Sequence, residues 1–594
     1  MVKLSKSRTP ALPRVLGAIG ALALACGLAQ VAAADQAAQS STASPPAAAQ
    51  APANPPKLLP PKLLVAIAVD QYSADLFAQY RQHYTGGLAR LLTGAVFPSA
   101  YQSHAATETC PGHSTILTGV HPARSGIIAN NWYDFSIARA DKRVYCAEEE
   151  SDPNSAASSP VVSAHHLRVP TLGERMKAAF PGSRNVAISA KDRAVMMMGG
   201  HDIDEAYWWQ ARGFSTLNGR TLADAALAEN TSILAELHKG APGLAVPAWC
   251  RPLARAVAAH PVASEFGETP PPLEVGIGNF PLTAEDPDSY RVSPRVDAAT
   301  LDLAARLVGD MKLGKGSAPD MLSVSLSATD YIGHAYGTEG EEMCVQMHEL
   351  DTSLGAFFAR LDALGLDYAV VLTADHGGLD LPERLDEQAA PAAARAAKTL
   401  TAPALSDAII RKLGLPAGTE KLVYGESAFG DYYVPHDLPA DTRAHVIDTL
   451  VSLLKSSPQV EAVFTHAEIA ASPMPTSGPQ EWSLLQRARA SFDADRSGDV
   501  FSVLKRTVVP IPEARIGYTA THGSPWDYDR RVPLLFWRKG LTGFEQPQPV
   551  DTVDIAPTLA ALIGLAVPAG DFDGRCLDID GGPGNSCVAK APQP

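Results

Sequence analysis

Three carboxylates and three imidazoles stand in short motifs whose spacing suits metal binding. Asp330 and His334 are four apart in TDYIGHAYG, so on a helical turn they share a face and can reach one ion. Asp375 and His376 are adjacent in VVLTADHGG. At a strand end both can face an ion, with Gly377 and Gly378 expected to let the backbone turn sharply. His522 lies in a Thr-His-Gly turn ahead of another apolar run, and Asp70 closes LLVAIAV. Alone, each motif reads as well as a cap, a turn or a structural histidine. Together they form an oxygen and nitrogen set that suits zinc, with manganese or iron chemically admissible. Split into two trios, they would hold two ions that clamp the attacking and leaving oxygens of a phosphoryl transfer.

Such a reaction needs a nucleophile, and three hydroxyls of ATETCPGHSTILTG are candidates. Pro111 and Gly112 are expected to precede a helix beginning near His113. A group just ahead of a helix N-terminus meets its positive dipole and free N–H donors, which favour an alkoxide and a phosphate oxygen. Thr109 or Thr107 fits that place, with Ser114 as an outside candidate. The competing role is an N-cap hydroxyl.

The elements that must position these groups are legible as apolar runs. Residues 63–69, 186–189, 321–326, 368–372 and 532–537 have the pattern of buried strands. Helical stretches fall between them, near 88–93, 114–118, 170–180 and 343–364. The alternation predicts an α/β fold with a mostly parallel central sheet flanked by helices. In such sheets ligands bind beyond the carboxyl ends of strands, and Asp70, Lys191, Asp330 and Asp375 all lie just past predicted strand ends. Two regions fit the alternation poorly. Residues 200–300 and 385–515 read as insertions within a catalytic region spanning 62–594, the second expected to cap the site.

The first 34 residues read as an export signal. Lys3, Lys6, Arg8 and Arg14 precede the apolar stretch 15–29, and Ala32-Ala33-Ala34 gives an A-x-A cleavage site before Asp35. An uncleaved membrane anchor is the alternative. Residues 35–61, rich in Ala and Pro, read as a linker. No later stretch is long and apolar enough to span a bilayer. The destination is then the periplasm, or secretion beyond it. Cys110, Cys146, Cys250, Cys344, Cys576 and Cys587 remain after cleavage, an even count that permits three disulfides, with Cys576–Cys587 favoured by its short loop. The formal charge of −15 over 594 residues argues against nucleic acid as a partner, yet does not exclude phosphate-ester small molecules, because metal ions reverse charge locally. Oligomeric state is not readable.

The motifs ETCPGHSTILTG, IIANNW, SAKDR, ATDYIGHAYG, TADHGG, RSGDVF and THGSPWDYDRRVPLLFW together resemble the type I phosphodiesterase and nucleotide pyrophosphatase branch of the alkaline phosphatase superfamily. The likeness is greatest to its periplasmic bacterial alkaline phosphatases with a threonine nucleophile. The segment TVDIAPTLAALIGLAVPAGDFDGRCL also resembles the superfamily's closing stretch. The resemblance implies two zinc ions, one on Asp330, His334 and His522, the other on Asp70, Asp375 and His376 with Thr109 bridging toward it. It implies Asn130 on a phosphate oxygen, with Asn131 as the alternative register, and Lys191 and Arg193 on the remaining oxygens. Their chemistry agrees: Arg offers a forked donor pair and Lys a point charge. The implied activity is phosphate-monoester hydrolysis through a phosphothreonine. A phosphodiesterase using the same metals is the runner-up, and a non-catalytic exported binding protein is a more distant one.

Overall fold

The run LLVAIAV forms strand β1 (Leu63–Val69), with every residue buried. A strand buried on both sides must lie inside a sheet covered by helices, and the computed structural model places it at the centre of a ten-stranded one. The structure describes residues 59–259, 271–416 and 418–587. The export signal and nearly all of the linker lie outside these residues.

The other strands of this sheet are β2 (Ala95–Tyr101), β3 (Asn185–Ser189), β4 (Glu205–Gln210), β5 (Gly213–Ser215), β6 (Asp320–Leu326), β7 (Tyr368–Thr373), β8 (Arg531–Arg538), β9 (Phe544–Glu545) and β10 (Val550–Asp551). Their order is β9-β2-β8-β7-β1-β6-β3-β4-β5, with β10 also paired to β2. The stretch from β7 to β4 is parallel throughout. Strand β8 runs antiparallel between β7 and β2, and β5 antiparallel to β4. Apolar periodicity reports burial and not direction, so the run at 532–537 gave no sign of this reversal. All five expected strands are present. Strands β4 and β5 belong to this sheet, so the region 200–300 is continuous with it over residues 205–215.

Residues 385–515 contain a second, three-stranded antiparallel sheet in the order Gly430–Tyr432, Val500–Leu504, Val460–Thr465. Helices Ala402–Leu413 and Ala440–Ser456 close a separate apolar core with it through Ile409, Val446, Leu450, Val500 and Leu504. Three cysteine pairs are joined: Cys110–Cys146, Cys250–Cys344 and Cys576–Cys587. Among the described residues no helix is long and apolar enough to cross a membrane.

Candidate active site and metal centre

The carboxyl ends of the central parallel strands bring the predicted residues together. Asp70 follows β1, Lys191 follows β3 and Asp375 follows β7. Asp330 and His334 sit on helix α2 (Ala328–Tyr336), which begins directly after β6 and gives their four-residue spacing one face. His522 arrives in the loop before β8.

Each of the three histidines has its Nδ1 against a backbone carbonyl: His334 on Ala520 at 2.9 Å, His376 on Gly377 at 2.8 Å and His522 on Thr107 at 2.8 Å. A carbonyl only accepts, so Nδ1 carries the proton and the neutral ring keeps its lone pair on Nε2. Those Nε2 atoms face carboxylate oxygens. His334 and His522 lie 3.2 and 3.4 Å from Asp330 Oδ1, and His376 lies 3.4 Å from Asp70 Oδ1 and 3.3 Å from Asp375 Oδ2. Lone pairs facing lone pairs call for cations between them. Asp70 Oδ1, Asp330 Oδ1, Asp375 Oδ2 and His376 Nε2 are buried without a hydrogen-bond partner. These residues therefore fit divalent metal ions.

Ligand atoms of Asp70, Asp375 and His376 all lie within 4.8 Å of one another, the trio expected from the sequence. Asp330 and His522 meet the same limit together with His376 instead of His334. The His376 and His522 rings stack at 3.6 Å, so His376 stands between the two groups. His334 approaches Asp330 as the next residue up its helical face and stacks on Tyr518 at 4.8 Å.

Burial pushes the Asp70 carboxyl well above the usual range, and the charges of Asp330 and Asp375 push the same way. Burial also works against ionised Asp330 and Asp375, but neighbouring cations and imidazoles outweigh it and hold both below the usual range. Burial drives His376 down to about 3. Lys191 loses solvent as well, yet Asp330 and Asp70 raise it to about 12. Its ammonium lies 2.5 Å from Asp330 Oδ2 and 2.6 Å from Asp70 Oδ2. The nearby Asp192 accepts from the Tyr145 hydroxyl and the Arg193 backbone N–H.

The helix carrying the nucleophile candidates, α1, spans Thr109–Thr118, with Glu108 as its N-cap. It starts four residues earlier than expected. Pro111 is tolerated in the first turn, where its missing N–H has no partner to lose. Gly112 is needed there because an added Cβ would overlap the Asp375 carbonyl. Thr109 is thus inside the first turn and not its cap. Its hydroxyl lies 3.4 Å from both Lys191 Nζ and Arg193 Nη2. Thr107 donates to the Ser524 carbonyl and Ser114 to the Pro111 carbonyl, so both of these hydroxyls have backbone partners. Gly377 and Gly378 also differ from expectation. Neither has a positive φ; each instead leaves room for a close neighbour, the Tyr528 carbonyl and the Gln71 side chain respectively.

Asn130 accepts the Cys110 N–H through Oδ1 at 2.8 Å, which leaves its NH2 group to donate elsewhere. Glu108 accepts the Asn130 N–H at 2.6 Å. Asn131 also reaches the cavity in front of Thr109. That cavity, about 340 Å³, is lined by Thr109, Arg193, His334 and His522, and by Phe429, Tyr433 and Phe501 from the second sheet's region. Sequence reasoning missed His113, whose Nδ1 lies 2.8 Å from Thr109 O and 3.1 Å from Asp375 Oδ2. A helix started at Thr109 would have placed it one turn on from Thr109.

Residues 64–523 match the family model described as type I phosphodiesterase / nucleotide pyrophosphatase. The chain is 51% identical over 534 residues to alkaline phosphatase PhoK of a Sphingomonas species, covering 89% of this chain and 93% of the relative. It is 46% identical to alkaline phosphatase PhoD of Zymomonas mobilis, covering 89% and 90%. The crystal structure of wild-type alkaline phosphatase PafA superposes with a TM-score of 0.74 at 26% identity, over 88% of this chain and 99% of that one. The chain therefore belongs to the type I phosphodiesterase / nucleotide pyrophosphatase family, within the alkaline phosphatase superfamily.

Proposed function

We propose that the chain is an alkaline phosphatase that hydrolyses phosphate monoesters through a phosphothreonine on Thr109 and releases inorganic phosphate. The observation that carries this reading is the position of the Thr109 hydroxyl, which is 3.4 Å from two cationic side chains and beside two groups of buried metal donors. Asp330, His334 and His522 would hold one ion, because His376 directs its Nε2 at Asp70 and Asp375, which with it would hold the other. The donor set favours zinc at both. Bound there, the ions would supply charge neutralisation and a lowered pKa for a coordinated hydroxyl.

The chain's own groups do the rest. The first turn of α1 gives Thr109 a positive helix end, favouring the anionic oxygen that attacks phosphorus. Lys191 and Arg193 bind the non-bridging oxygens and steer them toward Thr109, and the Asn130 NH2 group donates to another. Phe429, Tyr433 and Phe501 line the cavity in front of Thr109, where the ester group would sit. We read residues 385–515 as a cap on that side, and 62–594 as one catalytic region.

Relatives with the name alkaline phosphatase at 51% and 46% identity support the monoesterase reading. The phosphodiesterase reading draws on the family description and on the cavity in front of Thr109, whose volume of about 340 Å³ has room for a second ester group. We further infer export to the periplasm through the N-terminal signal, in keeping with three joined cysteine pairs. Rates on a matched monoester and diester, before and after chelation and with zinc restored, test the function. The reading expects monoester turnover that chelation abolishes and zinc restores best. A faster diester rate, or full turnover in protein shown metal-free by elemental analysis, contradicts it.

A further inference from the structure

A second group of metal-ligating side chains lies apart from Thr109, in the loop that follows Cys146. Glu150, His165 and His166 each present one ligand atom, all within 4.8 Å of one another. His166 Nε2 is 3.0 Å from Glu150 Oε2, and His165 Nε2 is 3.7 Å from Glu150 Oε1. His166 is only 4% exposed. Although the His166 and Glu150 atoms are close, they are not aligned for a hydrogen bond, and both are buried without a partner. A buried imidazole nitrogen and a carboxylate oxygen left in this state are costly unless something else satisfies both.

The loop is built to hold these three groups in place. Glu149 N–H donates to the Val161 carbonyl at 2.9 Å and Ser163 N–H to the Ala147 carbonyl at 3.1 Å, tying the two arms together. Arg139 takes up the neighbouring Glu148, so that carboxylate is not available as a ligand. Arg496 donates to the His166 carbonyl at 2.9 Å, fixing its backbone from outside the loop. His165 is about half exposed, which leaves an entry path on one side.

We propose that Glu150, His165 and His166 form a peripheral divalent-metal site that takes zinc. Two imidazoles and one carboxylate are the three protein ligands of a tetrahedral zinc ion, with the open His165 side leaving the fourth place for water. The ion would lock the loop behind Trp132, whose ring meets His166 edge-on at 4.9 Å and which lies two residues beyond Asn130. The site is independent of the reading of Thr109.

The test is zinc content per chain, by elemental analysis, in the holoenzyme and in a Glu150→Gln, His165→Ala variant after dialysis against the same zinc buffer. The expected result is one zinc fewer in the variant, with the active-site ions retained and monoester turnover preserved. Equal zinc contents overturn the proposal. Should the variant fail to fold, anomalous diffraction from wild-type crystals at the zinc edge decides it. A peak among these three side chains supports the site, and no peak there overturns it.

Discussion

The Lys191 ammonium stands 2.5 Å from a carboxylate oxygen of Asp330, so a phosphate-binding candidate and a metal-ligand candidate are one ion pair. The same ammonium is 3.4 Å from the Thr109 hydroxyl. A monoester offers a charged oxygen that a diester has replaced with an ester group. Cations paired with that oxygen would stabilise the transition state of the monoester by an amount the diester cannot use. Charge-assisted bonds are worth about 1.5–3 kcal/mol each, so Lys191→Ala with Arg193→Ala should lower the monoester rate by roughly two to four orders of magnitude. Assays on matched esters check it: the diester rate should fall much less, and an equal fall in both would show that these residues do not discriminate.

Gly112→Ala should damage the site through packing alone. The new methyl would overlap the backbone carbonyl of Asp375. Overpacking of this kind costs about 1–3 kcal/mol. Urea unfolding should show that loss, together with weaker metal retention because Asp375 moves. Unchanged stability would mean that α1 is not seated on Asp375 as described.

Asp297 links stability to pH. It is buried, it accepts the Ala328 N–H at 2.9 Å at the start of α2, and it accepts from Gln346 at 3.0 Å. Burial pushes its carboxyl up to about 7, against the opposing pull of those hydrogen bonds. The folded chain thus keeps a proton that the unfolded chain releases from about pH 4 upward. Its contribution to stability must fall as pH rises from about 4 to about 7. Asp297→Asn removes this titration. Unfolding free energies at about pH 5 and about pH 8, with metal held constant, should differ less in the variant than in the wild type. An equal or larger difference in the variant would contradict the assignment.

The Cys250–Cys344 pair joins a loop segment to helix Glu341–Ala363 across 94 residues of sequence. Its replacement by serines should cost about 2–5 kcal/mol of stability. Thermal unfolding read at fixed zinc measures this, and a shift within error of zero would contradict it.

The sheet and the candidate ligand carboxylates were legible because a fully buried strand must be a continuous apolar run, and in an α/β sheet polar chemistry gathers where such runs end. Asp70 and Asp375 could be read in this way, and Asp330 with His334 by their helical spacing. The start of α1 was not legible, because Pro111 and Gly112 look like a helix boundary, whereas the first turn tolerates one and the Asp375 backbone demands the other. His113 was hidden by the same error. The contact of Lys191 with Asp70 and Asp330 joins residues up to 139 positions apart, and no local pattern encodes it. Nor does an apolar run disclose that β8 lies antiparallel.

The central claim is that Thr109 is the nucleophile, and the direct measurement is mass spectrometry of the enzyme acid-quenched during monoester turnover. The account predicts a phosphoryl group on Thr109, and its absence in Thr109→Ala, which should lose most activity while keeping its active-site metal. A phosphoryl group on Thr107 or Ser114, or full activity in Thr109→Ala, would contradict it.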